Sequence, residues 1–337
     1  MRRILVGAMT LLLGVGTATA IARSGRHHRT HTTTSTTTTT KTATSTTTSS
    51  TTTATTTTTT STVTGAYDPT VLAGSPVALW DGATDVSGHG HNGTYKGGTP
   101  TLTTLPNGES APDFTGHEYL TVPNSSVFSI PTTGQLTWEA WIRPDVLQFS
   151  SASDPDNQGY IDWMGKCQEY SPSCEWQARM YSSVNEEGRC NRLSAYVFNP
   201  GAGLGSGADW QPKCNLLRAG QWLYVVGEYQ TLTTPSQCNS SYPGTINIWV
   251  NGVPWDVAEH YPTGCMSQYK IKPKAGSSSF DIGTMALDSW FPGAIAKVAI
   301  YNYLLSTEQI RTHFTAMTGA TPSGECKATC TIPVPTP

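Results

Sequence analysis

The sequence predicts an all-β fold: a sandwich of two antiparallel sheets with one short C-terminal helix, preceded by a disordered Thr-rich segment. Three observations predict it. Short runs rich in Val, Ile, Trp and Tyr recur between clusters of Gly, Pro, Asn and Ser from Pro76 to Tyr301. One run alternates, with Leu136, Trp138, Ala140 and Ile142 on one face and Thr137, Glu139 and Trp141 on the other. Asn251-Gly252 separates two such runs, the strongest short-range hairpin signal.

The predicted strands follow in order. Pro76 to Trp80, Asn92 to Tyr95 and Tyr119 to Val122 come first, then the alternating Leu136 to Ile142. Tyr160 to Met164, Trp176 to Tyr181 and Leu193 to Phe198 are next. Gln221 to Tyr229 is rich in aromatics and Val, and Ile246 to Val250 pairs with Val253 to Val257 across the Asn-Gly turn. Phe280 to Gly283 and Ile295 to Tyr301 complete the set. Many short strands with non-local pairing make a sandwich. Trp138, Trp222, Trp249, Leu223, Val225 and Ile248 are its expected core or near-core positions. Ser306 is placed to cap the helix, with Gln309 completing a capping box, and Ile310, Phe314 and Met317 repeat at helical spacing before Gly319.

The ends have different chemistry. Residues 1–22 read as a signal peptide: Arg2 and Arg3, an apolar run from Ile4 to Leu13, then small residues with A-x-A patterns at Ala18 and Ala20. Residues 23–65 form a linker or stalk. Thr32 to Thr64 is almost wholly Thr and Ser, which cannot offset its ordering entropy by burial. Such a stretch is a disordered linker or an O-glycosylated stalk, with a reach on the order of 100 Å at ~3.4 Å per residue. The globular unit runs from residue 66 to 319, and a Cys- and Pro-containing tail occupies 320–337.

With a net charge of −3, nothing suggests a nucleic-acid or other polyanion partner, and no second apolar stretch approaches spanning length. The eight cysteines are even in number, all follow residue 166, and form no C-x-x-C pair. In an exported chain this indicates disulfides rather than a metal. Their connectivity is not deducible from sequence. Proximity favours Cys167–Cys174, Cys190–Cys214, Cys238–Cys265 and Cys326–Cys330. Asn92, Asn124 and Asn239 sit in glycosylation sequons.

Several motifs occur in a consistent order. Trp80 is followed by Asp85-Val86-Ser87-Gly88-His89-Gly90-His91-Asn92-Gly93-Thr94. Phe114-Thr115-Gly116 leads to Tyr119-Leu120-Thr121-Val122-Pro123. Leu136 to Pro144, Gly220-Gln221-Trp222-Leu223-Tyr224-Val225-Val226 and Ile248-Trp249-Val250-Asn251-Gly252 come next. Phe291-Pro292-Gly293-Ala294-Ile295, Ile300-Tyr301-Asn302, Leu304-Leu305-Ser306 and Glu308-Gln309-Ile310 end the series. Over about residues 75 to 317 the chain resembles laminin-G-like, concanavalin A-like jelly-roll domains of the lectin/glucanase type. The resemblance implies two stacked antiparallel sheets, often a bound Ca²⁺, and carbohydrate or surface-ligand binding. Some relatives on this fold are glycosidases or lyases, so fold alone does not decide function.

For calcium, Asp85, Ser87 and Asn92 offer a carboxylate, a hydroxyl and an amide oxygen, and Gly88, Gly90 and Gly93 let carbonyls turn inward. The plainer reading is that Asp85 caps a tight Asx turn. Relatives frequently carry an acid after Gly-x-Ile near the end, where this chain has Ala296-Lys297. Sugar binding needs aromatic faces and polar groups. Arg179, Tyr181, Trp210, Trp255, Tyr269 and Trp290 are the expected ligand contacts, on strand ends or in irregular segments, with Trp210 in a Gly-rich insertion from Gly201 to Gln211; single rings more often pack, and one cluster among these is expected to be exposed. A glycosidase needs two carboxyls facing across a cleft. Here Glu139, Asp162, Glu175 and Glu228 are scattered singly, no Glu-x-Asp-x-x-Glu strand occurs, and no catalytic residue is assigned.

The sequence therefore predicts a secreted or surface-associated binding module for extracellular polysaccharide or a glycosylated surface, helped by a structural Ca²⁺. A polysaccharide-active enzyme and a protein-binding adhesin are the alternatives. The oligomeric state is not legible.

Overall fold

The computed structural model describes residues 66–148, 159–167, 174–183, 191–199, 204–210, 217–232, 244–254, 267–269, 272–285, 287 and 289–322. All belong to one unit of the chain, Thr59–Pro337. The strands are β1 (Ala78–Asp81), β2 (Thr84–Asp85), β3 (Thr94–Lys96), β4 (Thr101–Thr104), β5 (Ser110–Phe114), β6 (Tyr119–Val122), β7 (Gln135–Pro144), β8 (Tyr160–Lys166), β9 (Trp176–Tyr181) and β10 (Leu193–Asn199). They continue with β11 (Leu204–Trp210), β12 (Leu223–Thr231), β13 (Gly244–Val250), β14 (Val253–Pro254), β15 (Ser267–Tyr269), β16 (Phe280–Ile282), β17 (Thr284–Met285), β18 (Ser289–Trp290) and β19 (Gly293–Tyr301). Two helices, α1 (Tyr67–Leu72) and α2 (Thr307–Thr318), flank them.

Two antiparallel sheets form the predicted sandwich. One has ten strands, along the path β14-β13-β12-β7-β19-β1-β2, with β15 on β13 and the β4–β5 hairpin on β19. The other has seven, in the order β11-β10-β9-β8-β16-β6-β3. Side-chain alternation decides what each face meets. From β7, Leu136, Trp138, Ala140 and Ile142 enter the inter-sheet core, where they meet Trp163, Trp176, Val225, Ile248 and Phe280. Trp138 lies directly on Gly227, where any Cβ would come within 2.3 Å of the indole. Its Nε1 donates to Tyr229 Oη at 3.0 Å.

The opposite side of the ten-stranded sheet is apolar too. Trp141, Tyr224 and Tyr301 pack with Tyr67 of α1 and Ile310, Phe314 and Met317 of α2 in a second core. Helix α2 has the expected ends: Ser306 Oγ accepts from Gln309 N, the Gln309 side chain returns to the Ser306 N–H, and Gly319 takes φ 68°. Helix α1 was not expected, because six residues starting Tyr67-Asp68-Pro69 give too short a periodic signal. Trp249 lies under the helices rather than between the sheets. Trp222, expected at a core or near-core position, is half-buried against this second core, donating from Nε1 to Thr104 O at 2.9 Å.

The Asn251-Gly252 hairpin joins β13 to β14 with φ 52° and 74°, the conformation that Asn-Gly favours. Cys167–Cys174 is disulfide-bonded and closes the β8–β9 connection. The other six cysteines, the N-terminal segments and the tail beyond Pro322 lie outside the described residues. No described helix is long and apolar enough to cross a membrane.

Candidate functional site

The Asp85 loop comes first because the sequence singled it out. Asp85, Ser87 and Asn92 do come together. Asp85 Oδ1 accepts from Leu79 N at 3.2 Å, Ser87 N at 2.9 Å and Ser87 Oγ at 2.6 Å. Oδ2 accepts from His91 N at 2.8 Å, and Asn92 Oδ1 accepts from Asp85 N at 2.8 Å. Burial raises the Asp85 pKa, but the Ser87, His91 and Leu79 donors outweigh it and leave the carboxyl below its ordinary value. Calcium needs several oxygens turned toward one point. Here N–H groups are turned toward the oxygens, so these residues fit a loop clamp and do not form a calcium shell. Among the described residues no group of three or more His, Cys, Asp or Glu could hold a metal ion.

Lys297 supplies a cation of its own. Its side chain is 2% exposed, and Nζ lies 2.8 Å from Asp68 Oδ2, 3.1 Å from Asp81 Oδ1 and 2.8 Å from Glu109 Oε2. Burial lowers its pKa, but the three carboxylates raise it further, so the ammonium holds its proton. It ties α1, β1 and the β4–β5 turn to the bulge in β19.

The isolated acids separate. Glu139 and Glu228 point to the helix side of the ten-stranded sheet. Glu175 is buried in an ion pair with Lys166 at 3.3 Å. Asp162 lies on the outer face of the seven-stranded sheet. No two of the four share a cleft. Glu228 is fully buried beneath Trp249, whose Nε1 donates to Oε2 at 2.7 Å. Burial pushes Glu228 up to about 7, against hydrogen bonds from Trp249 and Asn247 that lower it. A folded-state pKa above the ordinary value of 4.5 favours folding most below about 4.5, and that stabilisation is lost as pH rises through about 7. Glu228→Gln keeps an acceptor for Trp249 and removes the charge. It is expected to raise Tm at pH 8 by several degrees and leave Tm unchanged at pH 4.5, measured by thermal denaturation at both.

The outer face of the seven-stranded sheet gathers the remaining functional groups. On β9, Trp176, Ala178 and Met180 enter the core, so Gln177, Arg179 and Tyr181 face outward. On β10, Leu193, Ala195 and Val197 enter it, leaving Ser194, Tyr196 and Phe198 outside. Arg179 is 8% exposed and stands over the rings of Tyr160 at 3.8 Å and Tyr196 at 4.5 Å. Its Nε donates to Asp162 Oδ1 at 2.7 Å, which also accepts from Gln177 Nε2 at 2.7 Å. Arg179 Nη1 lies 3.4 Å from Tyr181 Oη. Burial lowers the Arg179 pKa, but Asp162 and the two tyrosines raise it well above its ordinary value.

Trp290 marks another part of this face. Its ring is half-buried and lies 4.6 Å from His117 and 5.9 Å from Tyr119, an outward residue of β6. The preceding Ser289 accepts from Asp162 N through Oγ at 3.0 Å, which ties the Trp290 strand to the Arg179 cluster. Of the six expected ligand contacts, Arg179 and Tyr181 touch and Trp290 is linked to them, but Arg179 is 8% and Tyr181 1% exposed, so the cluster is buried among its own rings rather than the exposed platform expected. Arg179 sits within β9 rather than at an end, and Trp210 ends a strand rather than lying in a loop. The side chains of Trp210 and Tyr269, and all of Trp255, lie outside the described residues. Sequence reasoning missed Tyr160, Gln177 and Tyr196. The alternation of β9 and β10 was the signal that could have found them.

Two cavities lie between the helices. One of about 530 Å³ is lined by Pro69, Thr70, Gly74, Gln309, Thr312 and His313. A second, of about 800 Å³, shares Thr70, Glu308 and Thr312 and adds Arg311 and Thr315. No Trp, Tyr or Phe lines either. Among the described residues the exposed large apolar side chains, Val86, Leu102, Val146 and Leu287, come from four separate segments of the chain.

The family model described as the concanavalin A-like lectin/glucanases superfamily matches residues 114–311, more than half of the chain. The chain belongs to this superfamily. Strands β6 to β19, with the Trp138 strand and the β13–β14 hairpin, fall inside the match, whereas α1, β1 to β4, the Asp85 loop and β5 up to Asp113 precede it and α2 runs past its end. No curated protein matches. Similar solved structures include domain 4 of an extracellular GH43 arabinanase from Geobacillus stearothermophilus in complex with arabinotriose. It is 16% identical over 71% of this chain and 97% of that one, with a TM-score of 0.45. The type G botulinum neurotoxin receptor binding domain is 12% identical over 72% of this chain, with a TM-score of 0.46. The binding domain of botulinum neurotoxin DC in complex with SialylT is 13% identical over 73% of this chain, with a TM-score of 0.48. This chain spans about half the length of each of the two toxin chains.

Proposed function

We propose that this protein is an exported carbohydrate-binding module whose ligand lies on the outer face of the seven-stranded sheet. One observation carries the reading. Arg179, Asp162 and Gln177 form a connected polar group set among Tyr160, Tyr181 and Tyr196, with Trp290 linked to it through Ser289. Sugars need this combination: rings for their C–H faces and charged or amide groups, held in place, for their hydroxyls. The helix-side cavities lack the rings. The four acids do not face one another, so the arrangement supports binding over hydrolysis. The leader and the Thr-rich segment support export and display of the module away from a surface. Lys297 serves as the built-in cation of the fold, and the reading needs no calcium.

The test is retention of the full chain on immobilised polysaccharides, with reducing-end release assayed in parallel. Arg179→Ala is expected to weaken retention at least tenfold, about 1.4 kcal/mol, and no sugar is released. Equal retention by the variant, retention of no polysaccharide, or release of reducing ends contradicts the proposal.

A further inference from the structure

Helix α1 has six residues, too few to persist unless other elements hold it. Tyr67 and Val71 bury its sheet side. Toward α2 it is separated by the two cavities of about 530 and 800 Å³, which share Thr70, Glu308 and Thr312 and so make one continuous groove. The walls are small side chains, among them Pro69, Ala73, Thr315 and Ala316, with no aromatic ring. Such walls leave room for an extended backbone to lie close.

The chain itself leads into this groove. Gly319 turns the backbone out of α2, Thr315 Oγ1 donates to Ala320 O at 2.9 Å, and Ala320 N donates to Thr318 Oγ1 at 3.1 Å. Two residues on, Pro322 is buried and lines the groove. A Cβ on Gly252 would come within 2.6 Å of the Pro322 ring, so Pro322 is wedged against the β13–β14 turn. Residues 323–337 follow, and they contain Ile332-Pro333-Val334-Pro335, apolar and with prolines that favour an extended backbone at small entropic cost. Ile332 comes ten residues after Pro322, a reach of about 30 Å at ~3.1 Å per residue. The groove follows α2, whose twelve residues span about 18 Å, so all of it is within reach. Attachment at Pro322 gives the segment an effective concentration on the order of millimolar, enough for weak contacts to fill the groove. Arg311 on the wall and Glu325, three residues past Pro322, supply opposite charges where the path begins. The Thr-rich segment also reaches the groove, at Ala66, but its one large apolar residue between 32 and 64 is Val63.

We propose that segment 332–335 of this chain docks in the groove between α1 and α2 and latches the first helix of the folded unit to the last. The latch clamps the point where the Thr-rich segment joins the module. It does not depend on the carbohydrate reading above.

For the test, the photocrosslinking residue p-benzoylphenylalanine replaces Glu308, an exposed position that lines both cavities. The full chain is irradiated in dilute solution, reduced, digested with trypsin and read by mass spectrometry. The expected product joins position 308 to peptide 328–337 of the same chain. Ile332→Asp/Val334→Asp is expected to lower its yield at least fivefold. Without the crosslinker, the same double variant is expected to speed hydrogen–deuterium exchange at least fivefold in 67–72 and to leave 160–166 unchanged. A link to residues 32–64, a link between two copies, or no link overturns the proposal, and so does full yield or unchanged exchange of 67–72 in the double variant. Should 160–166 also exchange faster, the variant has lost its fold and the crosslink in the otherwise unaltered chain decides alone.

Discussion

Replacing Glu139 by alanine is expected to destabilise the folded unit by about 3–5 kcal/mol in denaturant titrations, the cost of breaking a buried charged network. Glu139 is fully buried at the centre of the ten-stranded sheet's helix side. Its carboxylate accepts from the Tyr224 hydroxyl, accepts from the Tyr301 hydroxyl at 3.0 Å, and lies 2.9 Å from His313 Nδ1. Those partners come from β12, β19 and α2, so one side chain holds the helix to the sheet. Alanine leaves two tyrosine hydroxyls and an imidazole buried without their acceptor. Burial lowers the His313 pKa, but Glu139 raises it above the ordinary 6.5. The His313 contribution is therefore complete below about 6.5 and lost as pH rises through the raised value. The gap between wild type and variant should accordingly be larger at pH 6 than at pH 9. A loss below about 1 kcal/mol would show that apolar packing, such as Trp141 on Phe314, docks α2 unaided.

Lys166→Met is expected to cost a similar amount, about 3–5 kcal/mol. Lys166 and Glu175 are both fully buried, 3.3 Å apart, at the end of the β8–β9 pair closed by Cys167–Cys174. Lys166 Nζ also donates to Gly276 O. Glu175 accepts from Ser129 Oγ at 2.9 Å and from the Ile130 N–H at 2.7 Å. Burial raises the Glu175 pKa, and Lys166 with these donors lowers it. Removing the ammonium leaves a buried carboxylate short of its cation. Lys166→Met/Glu175→Leu removes both charges and should recover most of the loss. A double variant no more stable than the single one would show that the Glu175 hydrogen bonds to Ser129 and Ile130, rather than the ion pair, hold this corner.

The fold was legible because period-two patterning and turn chemistry are local. The alternation of Leu136 to Ile142 assigned both faces of β7 correctly, and Asn251-Gly252 placed its hairpin. Ser306, Gln309 and Gly319 marked both ends of α2. What escaped was short or non-local. The β4–β5 hairpin lacks aromatic patterning, and β11 carries Gly205 and Gly207 where strand signals are expected. Trp249 was assigned to the core correctly, but nothing in its neighbours says which core.

The site was half legible. Arg179, Tyr181 and Trp290 were chosen for their chemistry, and the structure connects them. Asp162 was weighed only as an isolated catalytic acid, whereas its role depends on β8 pairing with β9 opposite Arg179. The bulge after Asp162 places Trp163 and Met164 both in the core, which hides the outward parity of Gly165 in a linear reading. The role of Lys297 was hidden for the same reason. Its partners, Asp68, Asp81 and Glu109, lie about two hundred residues away in the chain.

The most direct test of the central claim is where a bound saccharide protects the chain. Hydrogen–deuterium exchange of the full protein, with and without soluble xyloglucan or laminarin fragments, reads this segment by segment. The account predicts slowed exchange in peptides covering 160–166, 176–181 and 193–199 on the seven-stranded sheet, and no change in 307–318. Protection confined to 66–74 and 307–318 would place the ligand between the helices and contradict it.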